Sequence, residues 1–179
     1  MSYRVSRRSL AFFVAVAGCC LLAACVAPSE PRREVAPPAP SNAQMVQAIR
    51  AAGAREQSVI NVDPLRDPGV ASLRDAARND EAGGRYADAA GKLDQALKLS
   101  ADAPDLLQDR AEAAVYLGDY ATAERLARQS WSLGPKFGPL CARNWQTVAE
   151  LRLRAGDSAG AATARQQVAA CHKPGVSRF

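Results

Sequence analysis

The chain has one histidine, His172, among its 179 residues. A structural zinc centre needs four histidine, cysteine or carboxylate ligands. His172 beside Cys171, with Cys141 thirty positions upstream, falls short of that number. There is no glycine-rich phosphate loop, no Gly-x-Ser-x-Gly elbow and no spacing of histidines, cysteines and carboxylates suited to a metal. A nucleophilic thiol needs an adjacent base held by a third group, and His172 next to Cys171 has no such orienting partner in sequence. Carboxylate pairs such as Asp105 and Asp109 read as solvated helix faces. The expectation is a protein that is not an enzyme, with no cofactor, no metal and no small-molecule substrate.

Basic runs are nearly absent as well. The 23 basic and 18 acidic residues give +5 overall, but Arg4, Arg7 and Arg8 belong to a segment that reads as removable. Without it the balance is 20 against 18, a net of +2. Only Arg32-Arg33 remains as a basic pair, so nucleic acid is not an expected partner. After residue 24 no apolar run is long enough to cross a bilayer.

What the chain does have begins at its N-terminus. Three arginines precede an apolar run from Leu10 to Ala24, and proline-rich polar sequence follows at once, which is the pattern of a secretory signal over 1–24. Leu22-Ala23-Ala24-Cys25 resembles the bacterial lipobox, which implies a lipidated Cys25 as the mature N-terminus. Val16-Ala17-Gly18-Cys19 fits the pattern too, but cleavage there would leave the apolar stretch Cys20–Ala24 on the mature protein. Residues 25–41 then form a linker in which Pro28, Pro31, Pro37, Pro38 and Pro40 favour an extended chain with too little apolar surface to fold. Such a tether spans about 3.1 Å per residue. Residues 42–66 read as a partly ordered arm: NAQMVQAIRAAGAR has helical periodicity, with Met45, Val46 and Ile49 on one side, and the β-prone SVINV at 58–62 stands alone. Asp63-Pro64 and Asp67-Pro68 break the chain before the main domain at 67–173, and 174–179 is a tail.

The main domain repeats. GGRYADAAGKLDQALKLS at 83–100 aligns with LGDYATAERLARQSWSLG at 117–134, pairing Gly84 with Gly118, Tyr86 with Tyr120, Ala89 with Ala123, and Ala77 with Ala111, all at an offset of 34. A weaker third copy, AGDSAGAATARQQVAA at 155–170, is offset by 38 and places Gly156, Ala161 and Ala149 in register, with Ser158 in place of the tyrosine. This Gly-x-Tyr-x-x-Ala period resembles the tetratricopeptide repeat. The resemblance implies an all-α solenoid of three helix pairs on a disordered N-terminal tether. The glycines would end first helices at positive φ, and Pro68, Pro104 and Pro139 suit first turns of helices. Trp131 and Trp145 read as core at the junction of repeats two and three.

On that fold Cys141 lies near the start of the third repeat's first helix and Cys171 near the end of its second, and these ends are neighbours in an antiparallel pair. Export implies an oxidising compartment, so a Cys141–Cys171 disulfide is expected. It would clamp the last pair, which has no further repeat to cover it. First helices line the concave groove of such repeats. The glycine register puts Arg74, Arg78, Gln108, Glu112, Tyr116, Gln146, Glu150 and Arg154 on or near a groove for a protein partner, with Tyr116 as an aromatic anchor.

The combination of lipid anchor, proline-rich spacer and small repeat domain is similar to the LpoP-type outer-membrane lipoproteins. That resemblance implies a periplasm-facing activator of a class A penicillin-binding protein in peptidoglycan synthesis. The alternatives are a repeat-containing assembly factor or pilotin for a secretin, pilus or outer-membrane protein machine, and a structural or peptidoglycan-associated scaffold.

Overall fold

The structure, a computed structural model, describes residues 39–56 and 67–173. The expected signal peptide, lipidated Cys25, most of the linker, the SVINV stretch and the tail lie outside the described residues.

Seven helices and no strands are present among the described residues. They are α1 (Asn42–Arg55), α2 (Pro68–Ala82), α3 (Tyr86–Leu99), α4 (Pro104–Leu117), α5 (Tyr120–Leu133), α6 (Gly138–Arg154) and α7 (Ser158–Ala170). Helix starts are fixed locally. Ser41 and Gln44 form a reciprocal capping box for α1. Asp67, Asp119 and Asp157 accept from backbone amides of Gly69, Thr122 and Gly160 at the starts of α2, α5 and α7. Pro68, Pro104 and Pro139 sit in the first turns of α2, α4 and α6, where a missing amide costs little.

Three hairpins, α2–α3, α4–α5 and α6–α7, stack in chain order, with α3 against α4 and α5 against α6. Gly84, Gly118 and Gly156 sit in the three bends at φ +73°, +77° and +76°, a region in which any side chain is strained. Small residues set the close helix approach. Ala77, Ala89, Ala90 and Ala96 are buried around Leu93 and Leu106 between the first two hairpins. At the other end Cys141 and Cys171 are joined in a disulfide, Cα atoms 5.7 Å apart, within a cluster that includes Ala142, Trp131, Trp145 and Val168. The Gly138 amide also donates to the Cys171 carbonyl at 2.9 Å.

The region read as a partly ordered arm is, in its first 14 residues, an integral helix. Met45, Val46 and Ile49 are fully buried against Ala114, Val115, Ala123 and Leu151. The reason is mutual need: α4 and α6 leave apolar side chains that their own hairpins do not cover, and one face of α1 supplies the cover. Helix α1 packs along α6 and touches α4.

Candidate functional site

Helices α1, α2, α4 and α6 enclose an open groove of about 720 Å³, its walls including Arg50, Arg74, Arg78, Glu81, Tyr116 and Arg143. One helical register on each element brings these together. Arg74, Arg78 and Glu81 recur at helical spacing along α2, as do Asp105, Asp109, Glu112 and Tyr116 along α4. Helix α1 adds Arg50 and α6 adds Arg143.

The floor is a continuous ionic ladder. Arg50 donates to Glu81 at 2.6 Å and to Glu112 at 2.7 Å. Arg143 bonds Glu112 and Asp109, both at 2.7 Å. Arg74 bonds Asp109 at 2.6 Å and Asp105 at 3.0 Å. Glu112 is fully buried and accepts further from Gln108 at 3.0 Å; Gln108 also donates to the Thr147 hydroxyl at 2.9 Å. Burial works against the charge on Arg143, yet Glu112 and Asp109 outweigh it and hold its pKa above the ordinary arginine value. Arg50 is raised in the same way, burial being overcome by Glu112 and Glu81. Asp109 is pushed below the ordinary carboxylate range because Arg143 and Arg74 overcome its burial. Glu81 goes the other way: burial raises it, and Arg50 only partly offsets that. A ladder with every rung paired holds its side chains in fixed positions. At one wall Tyr116 stacks on Tyr86, ring centroids 4.1 Å apart and planes within 6°. Burial raises the Tyr116 phenol. Arg78 is an exposed cation at the rim, its side chain 59% accessible and paired with Asp75, itself 70% accessible.

No family model matches the chain, and no curated protein matches it. Among solved structures it is similar to the globular C-terminal domain of P. aeruginosa LpoP, at 32% sequence identity and a TM-score of 0.55, covering 59% of this chain and 99% of that one. The chain belongs to the LpoP family.

In this LpoP-family domain the eight expected groove residues separate into three groups. Arg74, Arg78 and Tyr116 line the groove. Gln108 and Glu112 lie beneath it, both fully buried, so they brace the ladder and present nothing to a partner. Gln146, Glu150 and Arg154 lie outside it, because α1 packs along α6. Gln146 donates to buried Glu150 at 2.7 Å. Arg154 reaches the Pro40 carbonyl at 3.4 Å and lies 4.6 Å from the Tyr120 ring centroid. Asp105 and Asp109, read as a solvated face, are rungs of the ladder. Sequence reasoning missed Arg50, Glu81 and Arg143. Asp109 and Arg143 are 34 residues apart, four short of the offset of 38 that relates the second and third repeats, so the repeat register did not pair them. His172 meets Glu56 at 3.0 Å, and no cluster of metal-ligating side chains occurs among the described residues.

Proposed function

We propose that this LpoP-family chain is a lipid-anchored protein of the bacterial outer membrane, facing the periplasm, that docks on a class A penicillin-binding protein and activates its peptidoglycan synthesis. The observation that carries this reading is the match of nearly the whole P. aeruginosa LpoP domain to this chain. The lipobox at Cys25 and the proline-rich tether support it, since they would hold the domain at a distance from its membrane. The groove supports it too: an exposed arginine and a tyrosine above a rigid ionic floor suit the capture of a protein surface. Arg74, Arg78 and Tyr116 are the residues assigned to that contact. Activation then requires that the domain bind the active synthase state more tightly than the inactive one.

Adding the purified chain to a class A synthase tests this directly. Glycan polymerisation or peptide crosslinking is expected to rise saturably with the amount of chain added. An unchanged rate at saturating chain would overturn the activator role. Replacing Cys25 with serine is expected to release a folded protein from membranes, and a variant that still sediments with membranes would refute lipid anchoring there.

A further inference from the structure

Between α5 and α6 lies a recess of about 170 Å³ that shares no residue with the groove. Ala127, Trp131, Trp145 and Val148 supply its apolar walls, and among the described residues no carboxylate belongs to its lining. The two indoles are partly exposed and meet edge to face, centroids 5.3 Å apart. The rim is cationic. Lys136 lies over the Trp131 ring, 4.3 Å from its centroid, and donates to the carbonyls of Trp131 and Ser132, which are neutral acceptors. Arg128 lies 5.9 Å from the Trp145 centroid. Its carboxylate partner Glu124 is shared with Arg152, and Arg152 meets Asp157 at 3.5 Å. The connection beside the recess adds a separate observation. Phe137 is the N-cap of α6, yet it makes no side-chain capping bond, and its ring is 38% exposed. Serine, threonine, aspartate and asparagine are the residues that suit this position, and three other helices of this chain start on an aspartate. Phe137 neither caps its helix nor buries its ring, and Leu133 at the end of α5 is also exposed. Residues that break a local rule without a gain in packing mark contact sites.

Size, lining and rim each restrict the occupant. The volume is below the roughly 300 Å³ of small-molecule sites and suits a single side chain. Indole, alanine and valine walls reward an aliphatic group by burial and dispersion, whereas a charged group inside would lose hydration that nothing there replaces. At the rim the preference reverses: a carboxylate there meets the Lys136 ammonium and the Arg128 guanidinium while still in contact with water. A bilayer presents a flat surface and no single protruding side chain. We propose that this α5–α6 face binds a protein segment in which an aliphatic side chain enters the recess and adjoining carboxylates meet Lys136 and Arg128, with Leu133 and Phe137 as its apolar border. The proposal rests on the protein-partner reading above and extends it to a second surface, and its test does not involve the synthase.

Both tryptophans of the chain line this recess, so their indole N–H signals report on it directly. The full chain would be titrated by NMR with the peptide acetyl-Glu-Leu-Glu-amide. Acetyl-Lys-Leu-Lys-amide is the control for charge, acetyl-Glu-Ser-Glu-amide the control for the aliphatic group, and vesicles of phosphatidylethanolamine and phosphatidylglycerol test a lipid surface. The Glu-Leu-Glu peptide is expected to shift both indole signals saturably, and each control peptide should bind about tenfold more weakly. Lys136→Glu should weaken the Glu-Leu-Glu peptide to a similar degree with unchanged circular dichroism; if the variant does not fold, the three peptides on the unaltered chain decide alone. No saturable shift, equal binding of the acidic and basic peptides, equal binding of the leucine and serine peptides, or indole shifts with vesicles and none with peptide would each overturn the proposal. Any of these results would leave activation of the synthase untouched, so the two readings fail separately.

Discussion

Helices α1 and α7 both rest on α6, and they are secured by opposite means. Helix α1 buries three large side chains, Met45, Val46 and Ile49, completely. It adds the ion pairs of Arg50, and Asn42 donates to the Tyr116 carbonyl at 3.2 Å while accepting from the Tyr120 hydroxyl at 2.8 Å. Within its own span α7 buries only Ala161 and Ala164, and the disulfide at its end supplies what packing does not. A terminal helix with apolar mass holds by burial, whereas one built of small residues needs a covalent clamp.

The largest way to break this contrast is to cut the sulfur bridge. Replacing Cys141 and Cys171 with serine is expected to cost about 3.6 kcal/mol, the chain-entropy value for a loop of 30 residues. Thermal melting of the double variant against the oxidised parent measures it, and an unchanged melting temperature would show that α7 holds by packing. Next is Ile49→Ala, expected to cost about 3 kcal/mol as a fully buried isoleucine truncated in place. Urea titration reads it, and a loss below about 1 kcal/mol would mean that α1 is not part of the core. The two losses should add in the combined variant, because the sites share no partner.

Gly53→Ala probes the closeness of α1 to α6. A Cβ there would stand 2.8 Å from Arg143 Cγ and 3.1 Å from the Pro139 carbonyl, and Arg143 is pinned by Asp109 and Glu112. The overpacking penalty exceeds the gain in helix propensity, for a net loss of about 1 kcal/mol. A stabilised variant would refute the tight α1–α6 contact.

The smallest effect is acid sensitivity, because its parts oppose. Asp109 lies below its usual 3.8 in the folded protein. It therefore contributes stability above that value, which is lost as pH falls through the lower folded one. Glu124 is likewise held low: Arg128 and Arg152 outweigh its burial. Glu81, raised above its usual 4.5, favours the folded state as it protonates and offsets part of the loss. Stability measured by urea titration is expected to decline modestly below pH 4 and to stay flat between pH 6 and 8; a rise in acid would contradict the ladder. The disulfide does not titrate, so this loosening belongs to the ion pairs of Asp109 with Arg74 and Arg143 and of Glu124 with Arg128 and Arg152, which join α2, α4, α5 and α6.

The hairpins were legible in the sequence because their signals are local and periodic. Gly84, Gly118 and Gly156 mark bends, Tyr86 and Tyr120 begin second helices, and the cysteine pair follows once the helices are antiparallel. The docking of α1 was not legible. Its decisive contacts, Arg50 with Glu112 and Asn42 with Tyr116, join residues 62 and 74 positions apart, and no repeat period connects them. Three of the eight expected groove residues lie outside it for the same reason. First helices line a concave face only where nothing covers it, and α1 packs along α6, where Gln146, Glu150 and Arg154 were expected to be open. The ladder was no more legible: neither its Asp109–Arg143 rung nor its Arg50 rungs keep the repeat offset.

We propose that the groove among α1, α2, α4 and α6 is where this LpoP-family domain docks on a class A penicillin-binding protein. Binding of the full chain to a class A penicillin-binding protein, measured for the parent and for Arg78→Glu, tests it most directly. Arg78 is exposed on the rim and outside the ladder, so reversing its charge is expected to leave the melting temperature unchanged while weakening binding by about tenfold or more. Parental affinity in that variant would contradict the account.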